Sequence, residues 1–168
     1  MRRVVLLLAV TLAATGGARA QTQQARIAPT CSGAEYRQFD FWIGEWRVKT
    51  ASGRAIGSNR VTPVVGGCAL REEWQGTGGN DGTSLNFYDP VARVWRQSWV
   101  DDGGQPLELR GGMRAGRMVL ESNAGRMMQR ITWIPFSHDS VRQIWQQSSD
   151  GGRRWRTVFD GIYMRVYP

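Results

Sequence analysis

Trp95-Arg96-Gln97-Ser98-Trp99-Val100, followed at once by Asp101-Asp102-Gly103-Gly104, is the stretch on which the fold turns. Successive side chains of an extended chain point to opposite faces. Trp95, Gln97 and Trp99 therefore share one face and Arg96, Ser98 and Val100 the other, and the Asp-Asp-Gly-Gly cluster then stops the strand. The same unit, a run of β-formers closed by turn residues, recurs from Trp46 onward. Its punctuation includes Ser52-Gly53, Gly66-Gly67, Gly78 to Gly82, Asp89-Pro90, Gly111-Gly112, Ala115-Gly116, Asn123 to Gly125, Pro135 to Asp139 and Asp150-Gly151-Gly152. About ten strand-length segments lie between these turns, at the short regular spacing of a β-sandwich or barrel. No stretch after residue 45 carries a sustained 3.6-residue apolar period, and only Gly33 to Phe41 reads as a short helix. No repeat, linker or second domain is apparent.

The composition of the strand faces is unusual. Val141, Gln143, Trp145 and Gln147 fall together opposite Arg142, Ile144 and Gln146, and Leu70, Glu72 and Trp74 share another face. A packed sandwich core calls for aliphatic residues, because unpaired buried amides and carboxylates are costly. Trp beside Gln and Glu suits a wet cavity that stacks and hydrogen-bonds a ligand. The competing reading is a set of solvent faces carrying Trp, which would expose many of the chain's eight tryptophans.

The N-terminus reads as an export signal. Arg2 and Arg3 supply a positive start, Val4 to Ala14 an apolar run, and Ala18-Arg19-Ala20 a small-residue cleavage site. The run is shorter than the roughly 20 residues that span a bilayer, and no later segment is apolar enough to cross one. The chain thus divides into a signal peptide (1–20), a flexible segment (21–32) and a domain (33–168). The expected product is soluble and periplasmic or extracellular. Removing 20 of the 168 residues leaves 148, one domain that buries roughly 70% of its unfolded surface without a metal or staple. Two cysteines, Cys31 and Cys68, read as one disulfide in an oxidising compartment, with two buried thiols as the alternative. Two cysteines and one histidine offer no zinc spacing, and no metal is expected. The net charge of +8 falls to +5 once Arg2, Arg3 and Arg19 leave. The remaining arginines are mostly scattered singly, not clustered as a nucleic-acid footprint would be, so no nucleic-acid partner is expected.

Phe39-Asp40-Phe41-Trp42-Ile43-Gly44-Glu45-Trp46-Arg47-Val48 resembles the opening of a group of secreted bacterial lipocalin-like (calycin-like) barrels of unknown function, which begin Phe-Asp-Phe-Trp-x-Gly-x-Trp. Further likeness runs through Gly66-Gly67-Cys68, Glu72-x-Trp74-x-Gly76, Gly82-x-Ser84, Tyr88-Asp89, Gln97-x-Trp99-Val100-Asp101 and Ser148-x-Asp150-Gly151-Gly152-x-x-Trp155. The resemblance implies an all-β fold: a single closed antiparallel barrel of about ten strands with a short N-terminal helix closing its base. It further implies that Trp46 packs under that helix with Arg165 of the last strand across its indole, a structural pair. About ten strands is nearer the fatty-acid-binding or nitrobindin type than the eight-stranded lipocalin. Ser148 to Trp155 also resembles an Asp-box, the hairpin of sialidase propellers. A single copy implies a structural hairpin and not a propeller, and Arg154 stands where that motif usually has Thr.

Ser137-His138-Asp139 holds the single histidine, but neighbours on an extended segment point apart and do not make a triad. His138 could ligate haem, yet no second feature supports it, so no cofactor is expected. Gly78 to Gly82 lacks the Lys and Ser/Thr of a phosphate-binding loop. The preferred reading is a binder of a small hydrophobic or amphipathic molecule held among Trp74, Trp99, Trp133 and Trp145, with Glu72, Tyr88, Gln97, Arg130 and Gln143 as polar contacts. The first alternative is a hydrolase-like enzyme in the same cavity with Glu72 as general acid or base, partnered by Asp101 or Asp102. Glu72 equally suits an ion pair with an inward Arg130. The second alternative is an envelope interaction domain with a filled core.

Overall fold

A computed structural model describes residues 31–122 and 126–167. The segment read as a signal peptide (1–20), and all but the end of the segment read as flexible (21–32), lie outside the described residues. Ten strands follow one another round a closed barrel: β1 Gly44–Lys49, β2 Ala55–Val64, β3 Ala69–Gly76, β4 Gly82–Asp89, β5 Val94–Asp101, β6 Pro106–Arg114, β7 Arg117–Glu121, β8 Met128–Ser137, β9 Ser140–Ser148 and β10 Arg156–Val166. Every strand pairs antiparallel with its neighbours in sequence, and β1 pairs with β10 to close the ring, with Trp46 opposite Arg165. Closure leaves no edge strand. The turn clusters fall between the strands as read, because Gly and short polar residues supply the tight or left-handed backbone that hairpins need.

The segment read as a short helix is two 3₁₀ turns, Ala34–Arg37 and Asp40–Trp42. Phe39 and Trp42 lie three residues apart, a spacing that a tight 3₁₀ turn brings onto one side. Their rings stack at 4.9 Å and plug the barrel's base, where Trp133 meets Phe39 at 5.0 Å and Trp95 meets it at 5.5 Å. The Trp95 indole N–H donates to the Glu35 carbonyl at 3.1 Å, and that of Trp46 to the Trp42 carbonyl at 3.0 Å. Arg165 lies over the Trp46 ring at 4.2 Å and donates to the Ile43 carbonyl at 2.6 Å and the Phe41 carbonyl at 3.4 Å. The last strand thereby holds the plug in place.

Cys31 and Cys68 form a disulfide. It ties the start of the described chain to the turn between β2 and β3, where Arg37 also donates to the Gly67 carbonyl. Among the described residues no helix is long and apolar enough to cross a membrane.

Candidate functional site

The strands run alternately from the plugged base to the opposite rim, and only the base half of the interior is packed. The other half is a cavity of about 1010 Å³, open between the β1–β2 turn and the β3–β4 loop. The interior is thus not the filled core of the interaction-domain alternative. Leu107, Ile131, Glu72, Gln97, Gln143 and Tyr163 line its depth, and Trp74, Trp99, Trp145 and Phe159 its walls. Arg54, Thr77 to Asn80 and Asp101 belong to the rim.

Glu72 is the main electrostatic feature. Its place on β3, two residues from Leu70 and Trp74, turns it inward, and its exposure is 3%. Asn59 on β2 donates to Oε1 at 3.0 Å and Ser84 on β4 donates to Oε2 at 2.6 Å. Asn86 in turn donates to Ser84 Oγ at 2.8 Å, and Gln97 does so at 3.4 Å. Burial pushes the Glu72 carboxyl up to about 7, and the two hydrogen bonds only partly offset it. The Tyr163 hydroxyl donates to Gln143 Oε1 at 2.5 Å. Burial and the nearby Glu72 charge hold its proton on well above the ordinary phenol range.

The tryptophans are set by local features of the strands. A Cβ on Gly57 would fall 2.5 Å from the Trp74 ring, so the bare β2 backbone makes room for that indole. Trp74 meets Phe159 edge-on at 5.7 Å. Trp145 donates its indole N–H to Gln129 Oε1 at 2.7 Å, which fixes the ring against the wall.

Of the residues singled out in the sequence, the cavity brings together Glu72, Trp74, Gln97, Trp99, Gln143 and Trp145. Three lie elsewhere. Trp133 points inward but at the base, fully buried against Phe39 and Trp42. Tyr88 is also at the base, edge-on to Tyr36 at 5.2 Å. Arg130 follows the opposite parity to buried Ile131. It pairs with Glu121 at 2.6 Å and lies 3.9 Å over the Trp155 ring, so it is not the ion-pair partner of Glu72. Phe159, Tyr163, Asn59 and Ser84 join the site although the sequence reading passed over them. The alternation Phe159, Gly161, Tyr163 was a usable signal, since the strand's register is unbroken from Phe159 onward.

His138 is exposed in the β8–β9 turn at the closed end, bonded to Asp139 at 3.0 Å, while the Ser137 hydroxyl meets Ser140 at 3.0 Å. No triad forms. Asp101 lines the cavity, but its Oδ1 accepts the backbone N–H of Gln105 at 2.8 Å. Among the described residues no group of three or more His, Cys, Asp or Glu could hold a metal ion.

No family model matches the chain, and no curated protein does. Among solved structures it is similar to the S-type phycobiliprotein lyase CPES from Guillardia theta. The TM-score is 0.50 and the identity 13%, over 77% of this chain and 91% of that one. At that identity the likeness is one of fold alone.

Proposed function

We propose that the protein is a ligand-binding barrel that holds a small hydrophobic or amphipathic molecule in the open half of its interior. The observation that carries this reading is the cavity of about 1010 Å³, with Trp74, Trp99 and Trp145 around a buried carboxylate and two glutamines. That volume matches small-molecule sites of roughly 300–1,000 Å³, which pair apolar walls with a few converging polar groups. The calycin-like fold supports the same reading. The leader at 1–20 and the Phe39 to Val48 signature support an exported member of the secreted lipocalin-like group.

Native mass spectrometry of the protein from its own periplasm, beside the denatured non-reduced mass, tests this. A small molecule present only in the native spectrum is the expected result. Trp99→Ala and Trp145→Ala should weaken its retention while leaving the fold intact. A bare protein whose Trp99→Ala variant unfolds would instead count for a purely structural role.

One observation favours a second reading, an enzyme in the same cavity. A carboxyl poised at about 7 is suited to general acid or base work near neutral pH. Glu72→Gln separates the two readings, since turnover would collapse whereas retention of a neutral ligand would largely survive.

A further inference from the structure

The chamber's polar groups are unevenly matched. Glu72 is the one carboxylate among its deep lining residues, and both of its oxygens are held by neutral donors, Asn59 and Ser84. No Lys or Arg lies deep among the described lining residues; the one cation there, Arg54, is in the rim turn. Gln97 lines the cavity, but it is 2% exposed and its unpartnered Oε1 is sealed from the open space. Gln143 Oε1 accepts one bond, from Tyr163, and has a second lone pair to offer. The floor therefore offers the Glu72 carboxylate and Gln143 Oε1 to the cavity, among tryptophan rings whose π-systems attract positive charge.

We propose that the ligand is an amphipathic organic cation, an amine bearing an aromatic or alkyl body, inserted nitrogen-first. Its ammonium donates to the Glu72 carboxylate and to Gln143 Oε1, while Trp74, Trp99 and Trp145 flank the body. This deepens the binding-barrel reading and rests on it. An anionic head would meet Glu72 as a like charge in a poorly solvated site. A neutral body would leave the ionised Glu72 without a cation.

The assignment makes binding depend on pH through Glu72. The groups facing it from the surrounding strands are Asn59 on β2, Ser84 on β4, Gln97 on β5, Gln143 on β9 and Tyr163 on β10. Of these only Tyr163 titrates, and it keeps its proton. The remaining charged lining groups are Arg54, Asp101 and Asp160, and Asp160 is held below the usual carboxylate range by Arg142. Ionised Glu72 should thus favour the amine, and protonated Glu72 should not.

Three probes of one shape distinguish the possibilities: naphthylethylamine, naphthylethanol and naphthylacetate, with dissociation constants read from tryptophan fluorescence and calorimetry. At about pH 8 the amine should bind roughly tenfold or more tightly than the alcohol, and the acetate most weakly. The preference should vanish in Glu72→Gln and shrink at about pH 5.5. Gln143→Met should lower amine affinity severalfold and leave the alcohol unchanged, with circular dichroism checking the fold of both variants. Equal binding of all three probes, tighter binding of the acetate, or a preference that survives Glu72→Gln overturns the cation assignment while leaving a ligand cavity. Binding of none of them, together with a bare protein in native mass spectrometry, overturns the binding-barrel reading as well.

Discussion

Glu72 sits where a hydrocarbon side chain would pack with less penalty, and that placement has a measurable consequence for stability. Its folded-state value of about 7 lies above the ordinary 4.5 that an unfolded chain would show. Between those values the native protein binds more protons than the unfolded one, so stability falls as pH rises through the interval and levels off above it. The loss integrates to about 3 kcal/mol at most. Urea unfolding of Glu72→Gln should show the acid-to-neutral decline flattened, with the variant at least as stable as the parent at about pH 8. A parent whose stability rises from pH 5 to 8 would contradict the buried-carboxylate picture. Asp150 and Asp160, held low by hydrogen bonds, contribute with the opposite sign and only at more acid pH. At this scale the sequence was informative about direction, because period-two alternation placed Glu72, Gln97 and Gln143 on inward faces. It was silent about depth. Trp133 and Tyr88 have inward parity, but they stand at the plugged end of their strands. Parity along a strand carries no record of which end meets the plug.

At the scale of elements, the turns and the short N-terminal helix were both legible, the turns in finer detail. The Ser148 to Trp155 hairpin forms the local network expected of its motif. Gly152 N–H donates to Ser148 Oγ at 2.9 Å, and the Arg153 and Arg154 N–H groups donate to Asp150 Oδ1 at 3.0 and 2.9 Å. Trp155 donates its indole N–H to the Gly152 carbonyl at 2.9 Å. Gly151 adopts φ 73° with no atom within 4 Å of an added Cβ, so a substitution there meets backbone strain alone. Gly151→Ala should cost about 1 kcal/mol, and Gly151→Asn less, because Asn tolerates the left-handed region. Thermal unfolding of the two variants checks the order. The Gly33 to Phe41 segment is helical as read, but its division into two 3₁₀ turns was not legible. It is too short to show a helical period, and its aromatic residues are placed by the barrel's base, not by local preference.

For the molecule as a whole, the disulfide and the cavity act against each other. A half-empty interior forgoes the contacts that a filled core would make. Cys31–Cys68 compensates by restricting the unfolded chain across a separation of 37 residues. That constraint is worth about 3–4 kcal/mol in the chain-entropy description. Replacing both cysteines with Ser should lower the free energy of unfolding by about that amount and leave the cavity residues in place. An unchanged urea midpoint would mean that the N-terminal segment contributes little to the barrel. The overall architecture was legible because each hairpin announces itself in consecutive residues. The closing pair of strands was not, since β1 and β10 share no local signal and only the likeness to other barrels brought Trp46 and Arg165 together.

That seam sets an order of events in time. Nine of the ten strand pairings join neighbours in the chain, so most of the barrel can zip up hairpin by hairpin, each step closing only a short loop. The pairing of Trp46 with Arg165 spans nearly the whole domain and belongs to the last step, after the transition state. Arg165→Ala should therefore leave the refolding rate almost unchanged and accelerate unfolding, which stopped-flow chevrons would resolve. The barrel would open from its seam, and the arginine on Trp46 would act as the latch that sets how long a closed molecule stays closed.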